Sequence, residues 1–107
     1  MMPSWTHAAN EVERLMLQGG VDAIAVANAL QFIEVAKPEI ADCDLVSVNG
    51  YMNSVCLHWM SDFIEVEVHA ASYEVYRLNT VPFSIREFVR APDEAISDAM
   101  MELLPKR

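Results

Sequence analysis

The chain has 107 residues, of which 53% are hydrophobic and 21% charged, a balance that suits one globular domain with a small core and excludes a disordered chain. Its 16 acidic residues against 7 Lys and Arg give a formal net charge of −9. That excludes a general electrostatic binder of nucleic acid, which needs a basic footprint, and an anionic membrane surface would repel it too.

The first residues, MMPSWTHAANEVER, hold neither a basic n-region nor an apolar h-region, so no signal peptide is read there. No apolar run approaches the roughly 20 residues of a spanning helix, and the expected location is cytoplasmic. Trp5, Ala8, Ala9, Val12, Leu15 and Met16 recur at three- and four-residue spacing, one face of an amphipathic helix that Ser4 or Thr6 can cap and Gly19-Gly20 ends. Asp22 can cap a second helix that runs to Lys37 and stops at Pro38. This helix is apolar almost all round: Val26, Leu30 and Ile33 form one stripe, while Ile24, Phe32 and Val35 fall off it. Two readings stay open for such a helix, packing on two sides within the fold or a surface for a partner, including a homodimer through the second helix.

Residues 38–44 read as an acid-rich linker, residues 45–48 as a short strand, and Asn49-Gly50 as a hairpin signal leading into the next strand. Residues 55–78, VCLHWMSDFIEVEVHAASYEVYRL, then alternate as an antiparallel meander. With Ser61-Asp62 as a two-residue turn, Val55 meets Val68, Leu57 meets Val66 and Trp59 meets Ile64 on an apolar face. On the other face Cys56 meets Glu67 and His58 meets Glu65. A one-residue slip would send the apolar set to the wrong side, so this register is well specified. For the next strand, a two-residue connection would oppose Glu67 and Glu74, and like charges directly opposite are destabilising. A four-residue connection would place Arg77 on the apolar face without a partner. A three-residue connection is therefore preferred. It sets Glu67 against Val75 and Glu65 against Arg77, adds Tyr76 and Leu78 to the apolar face, and makes a polar row of His58, Glu65 and Arg77.

Beyond a turn at Asn79-Thr80, Val81, Phe83 and Ile85 alternate, but Pro82 removes a ladder donor and suggests an edge strand, and residues 84–90 are ambiguous between edge strand and irregular chain. A last helix is expected from Pro92, with Asp93 and Glu94 in its first turn, a buried stripe of Ala95, Ile96, Ala99, Met100, Leu103 and Leu104, and Pro105 as its stop. The expected fold is α+β: two N-terminal helices, a four-stranded antiparallel meander over roughly residues 45–85, and one C-terminal helix, with helices covering the apolar face.

Two features could carry function. The polar sheet face gathers Cys56, His58, Glu65, Glu67 and His69. His58 beside Glu65 is the right pair for a base and its orienter, and Cys56, His58 and His69 are zinc-ligand types. Their spacing matches no ligand signature, so the face is read as a structural hydrogen-bonded row, with no metal, cofactor or catalytic residue assigned. No glycine-rich phosphate loop, nucleophile elbow or HExxH is present. Cys43 and Cys56, with no CxxC pair, are read as reduced thiols. The second feature is an acidic stripe, Glu94, Asp98 and Glu102, at successive i+4 spacing with no basic residue interleaved. Neighbours at that spacing lie about 6 Å apart and repel by a few tenths of a kcal/mol, so a helix built only for stability would alternate signs.

Three functions are compatible with this pattern. The first is a small non-catalytic interaction module, a regulatory or accessory protein of bacterial or phage type, that binds a basic protein partner. The second is an acidic inhibitor whose carboxylates stand in for a phosphate backbone. The third is a small enzyme or metal protein that uses Cys56, His58, Glu65 and His69, which requires a concave pocket around His58. Direct nucleic-acid or membrane binding is not expected.

The run VSVNGYMNSVCLHW followed by FIEVEV and YEVYRL resembles a loose set of small, mostly uncharacterised bacterial proteins. In that set two short helices precede a strand ending in Leu-x-Trp and then a strand of Leu-x-Ile-x-Ile type. The matching residues are Leu57, Trp59, Ile64, Val66 and Val68. The set usually carries an aspartate-tryptophan element between its helices and a proline before the hairpin, where this chain has Gly19-Gly20 and Val48. The resemblance implies a fold and no site.

Overall fold

A computed structural model describes residues 4–89 and 96–107. The first helix, α1, runs from Trp5 to Gln18, and Ser4 caps it by accepting the His7 amide at 3.0 Å. Helix α2 runs from Ala23 to Ala36, and one carboxylate oxygen of Asp22 accepts the amides of Ile24 and Ala25. Each cap satisfies amides that the first helical turn leaves without an intrahelical partner. Gly19 and Gly20 both take positive φ, 78° and 83°, which glycine adopts without a Cβ clash, and so turn the chain between the helices.

Five strands follow in a sheet whose spatial order is the chain order: β1 Leu45–Asn49, β2 Ser54–Trp59, β3 Ile64–Val68, β4 Ser72–Arg77 and β5 Ser84–Val89. Every pairing is antiparallel. The fifth strand corrects the expectation of four: Pro82 lies before it, and the edge strand occupies the stretch where the pattern was ambiguous. The Asn49-Gly50 signal closes a longer loop than its two-residue form, because Asn49 itself pairs with Ser54.

The β2–β3 register is the expected one at all five pairs, from Val55 with Val68 to Trp59 with Ile64. The β3–β4 register is not. Glu67 stands opposite Glu74, Val66 opposite Val75 and Ile64 opposite Arg77. The rejected two-residue connection is the real one, and magnitudes explain why. A like-charged cross-strand pair costs between a few tenths of a kcal/mol and about 1 kcal/mol. Burying Val75 and Tyr73 gains roughly 1.5–3 kcal/mol for each side chain, and both are almost fully buried in this register. The expected register would have buried Tyr76 and Leu78 instead, and Leu78 is exposed. Arg77 therefore leaves the polar row with His58 and Glu65. It takes the last position of β4 on the helix side, half-buried at the strand end rather than in mid-core.

Both long helices pack on the apolar face, α1 against β1 and α2 against β2 and β3. The core joins Val55, Leu57, Trp59, Val66, Val68 and Val75 of the sheet to Val12, Val26, Phe32 and Ile33 of the helices. Trp5 stands edge-on to both Phe32 and Trp59, with centroids 6.3 and 5.9 Å away. Both indoles donate to one segment, Trp5 to the Ile40 carbonyl at 3.0 Å and Trp59 to the Ala41 carbonyl at 2.8 Å. In α2 the two-sided packing accounts for Phe32 as well as Val26 and Ile33, while Ile24 and Val35 stay exposed.

The C-terminal helix is one turn, α3 Asp98–Met101, capped by Ser97. Ile96 and Ser97 are not helical, so the expected long helix is interrupted before Asp98. Met100, Met101 and Leu104 still reach the core, and an Ile40–Lys106 bridge ties the chain end beneath the tryptophans. Among the described residues no helix is long and apolar enough to cross a membrane.

Candidate functional site: the polar face of the sheet

Strand parity builds this site. Residues whose neighbours point into the core present their own side chains on the opposite face. Across the five strands these form rows: Leu45, His58, Glu65, Tyr76 and Ile85 in one, and Ser47, Cys56, Glu67, Glu74 and Glu87 in the next. No strand position on this face is Lys or Arg.

Two clusters stand on it. In the first, Ser47 Oγ lies 2.7 Å from His58 Nε2, and His58 Nδ1 lies 3.4 Å from Glu65 Oε1. A carboxylate can only accept, so the Glu65 contact favours the proton on Nδ1 and leaves Nε2 to accept the Ser47 hydroxyl. This is the order of a nucleophile, a base and its orienting carboxylate. Beside it opens a cleft of about 240 Å³ lined by Met60, Phe63 and Leu78 as well as by His58 and Glu65. The expected pairing of His58 with Glu65 is present, and so is a concave pocket at His58.

The second cluster centres on Glu67, whose side chain is 8% exposed. Its Oε2 accepts from Ser54 Oγ at 2.6 Å and Asn49 Nδ2 at 2.9 Å, and the Cys56 thiol lies 3.9 Å away. Its Oε1 faces His69 Nε2 at 3.3 Å and takes the Tyr76 hydroxyl at 3.2 Å. Glu74 closes the group, with Oε1 2.7 Å from His69 Nε2 and Oε2 3.0 Å from the Tyr76 hydroxyl. Burial raises the Glu67 pKa, but the hydrogen bonds from Ser54 and Asn49, the His69 charge and the Tyr76 hydroxyl outweigh it and hold the carboxyl below its ordinary value. Burial first, then the carboxylates it serves, pushes the Tyr76 phenol up, so it remains a donor. Burial and then the charges of Glu65 and Glu67 push the Cys56 thiol up to about 12, and burial first does the same for Cys43. Both cysteines are free and buried. A thiol held neutral is a weak nucleophile, and Cys56 lies outside the group of Glu67, His69 and Glu74 whose ligand atoms converge.

Of the acidic stripe, Asp98 opens α3 and Glu102 caps its C-terminal end, both exposed; Ile96 and Ser97 before them are not helical, and Glu94 lies outside the described residues. Sequence reasoning missed Ser47, Glu74 and Tyr76. Ser47 needed the β1–β2 register, which the alternation in β1 leaves free, and the one-residue shift of β4 hid the other two.

The class these observations define is an α+β domain with helices on one face of a meander and a polar, acidic face on the other. No protein-family model, no curated protein and no solved structure matches the chain.

Proposed function

We propose that this is a non-catalytic interaction module that takes a basic protein partner on the polar face of its sheet. The observation that supports it is the charge of that face: its rows hold Glu65, Glu67, Glu74 and Glu87 with no Lys or Arg among them. The exposed apolar residues Leu45, Ile85 and Val89 at its edges supply the mixed character of a binding patch. A partner presenting Arg or Lys would gain charge complementarity that mainly steers association and weakens with salt. The test compares retention of a basic protein on the native chain, on Glu87→Lys and on Glu102→Lys. Retention that fades as ionic strength rises and is lost only in Glu87→Lys is expected. Loss only in Glu102→Lys would move the contact to α3, and retention by both variants would end the reading.

A second reading rests on the Ser47–His58–Glu65 relay and its apolar cleft: hydrolysis of a small apolar ester. Ser47 Oγ would attack the acyl carbon while His58 Nε2 takes its proton and then delivers it to the departing alcohol. Water would release the acyl group by the reverse transfer. Turnover of p-nitrophenyl butyrate should vanish in both Ser47→Ala and His58→Ala with the fold intact. Equal rates in native and variant protein would dismiss it.

A further inference from the structure

The row through the middle of the polar face sets Glu67, Glu74 and Glu87 side by side on three adjacent strands, which lie about 4.8 Å apart. Glu87 is exposed and solvated. Glu67 and Glu74 are not equally free, at 8% and 25% exposure, and His69 beside them is 15% exposed. They are too recessed to serve a protein side chain arriving from solvent as Glu87 can.

The donors inside this group do not satisfy the acceptors. Among the described residues, Glu67 Oε1 and both oxygens of Glu74 meet the Tyr76 hydroxyl and His69 Nε2 and no other side-chain donor. The hydroxyl has one proton to divide between two carboxylates 3.2 and 3.0 Å away. His69 Nε2 is buried and makes no hydrogen bond of proper geometry, although oxygens of Glu67 and Glu74 lie 3.3 and 2.7 Å from it. Two carboxylates and an imidazole nitrogen thus converge, with one donor atom from each within 4.8 Å of the others, on a face whose strand positions include no Lys or Arg.

We propose that Glu67, His69 and Glu74 bind a divalent transition-metal ion of the zinc type; the proposal rests on the convergence of these three side chains and not on a partner, although it shares two carboxylates with the face read as partner-binding. Zinc lies about 2.0–2.2 Å from imidazole nitrogen and carboxylate oxygen, which puts neighbouring ligand atoms about 3–3.5 Å apart between right-angle and tetrahedral arrangements. The observed separations of 2.7 and 3.3 Å need little adjustment to meet that. The ligand set selects the ion. An imidazole with two carboxylates suits zinc and its first-row neighbours, whereas calcium and magnesium prefer oxygen alone. The surrounding hydrogen bonds suit a metal site as well. Ser54 and Asn49 hold Glu67 by its Oε2 and leave Oε1 aimed at the centre, the kind of outer support that orients ligating carboxylates. Three protein ligands leave a further position open for water or a ligand.

The test is titration of chelator-treated full-length protein with Zn(II) by calorimetry, and with Co(II) by visible absorption. One ion per chain is expected, with a rise in melting temperature that grows with free metal. Glu74→Gln and His69→Gln should each weaken binding by at least about tenfold and alter the Co(II) spectrum. Glu87→Gln and Ser47→Ala should bind as the native chain does. Each variant's metal-free circular dichroism must match the native spectrum. If His69→Gln does not fold, Glu74→Gln, at the more exposed ligand, decides the matter. Absence of binding to the native chain, binding undisturbed in the folded variants, or loss of binding in Glu87→Gln would each overturn the site, the last by showing only diffuse attraction to the acidic face.

Discussion

Glu67 shows how a single residue can be costly in one arrangement and stabilising in another. Opposite Glu74 it repels a like charge, yet Ser54, Asn49, Tyr76 and His69 bind its charged form. Its folded pKa is depressed, so its contribution to stability is present above the ordinary carboxylate value of about 4.3 and is lost as pH falls through the lowered folded value. In chelator, Glu67→Gln should lose about 1.5–3 kcal/mol at neutral pH, the range for hydrogen bonds to a charged group. Urea unfolding of both proteins near pH 7 and near pH 3 checks this. The native advantage should shrink at the lower pH, and an advantage unchanged with pH would show that the charge is not what Glu67 contributes.

At the scale of elements, legibility followed how much apolar surface each choice put at stake. The β2–β3 register was readable because a slip would have exposed Val55, Leu57 and Trp59 together. The β3–β4 register was misread because a charge rule of a few tenths of a kcal/mol was set above the burial of Tyr73 and Val75. The partners that soften the Glu67–Glu74 contact, His69 and Tyr76, become visible only once the register is known. The caps of α1 and α2 were readable because they are local, made by Ser4 and Asp22 to amides two or three residues away. The extent of the last helix was not, because Ile96, Met100 and Leu104 share a helical period, yet all three are buried in the core with only a single turn between Asp98 and Met101. The candidate site was half legible for the same reason. His58 with Glu65 followed from alternation, whereas Ser47 and Glu74 depended on pairings across strands.

At the scale of the molecule, the chain splits its surface by parity: one side of the sheet is sealed by helices and the other carries the carboxylates. The order of the strands has a kinetic consequence. Because each strand pairs only with its chain neighbours, the sheet can zip up through short loop closures, the regime of low contact order and fast folding. The docking of the C-terminus on Ile40, which joins residues far apart in the chain, bears the larger closure entropy and belongs late on the route. Val66→Ala, in the central strand, should therefore slow folding, while Leu104→Ala should leave the folding rate nearly unchanged and speed unfolding instead. Stopped-flow fluorescence of Trp5 and Trp59, both bonded to the segment on which the C-terminus lands, reads the two events, and slowed folding in Leu104→Ala would place that docking in the nucleus. The carboxylate face would then be assembled before the chain end closes beneath the tryptophans.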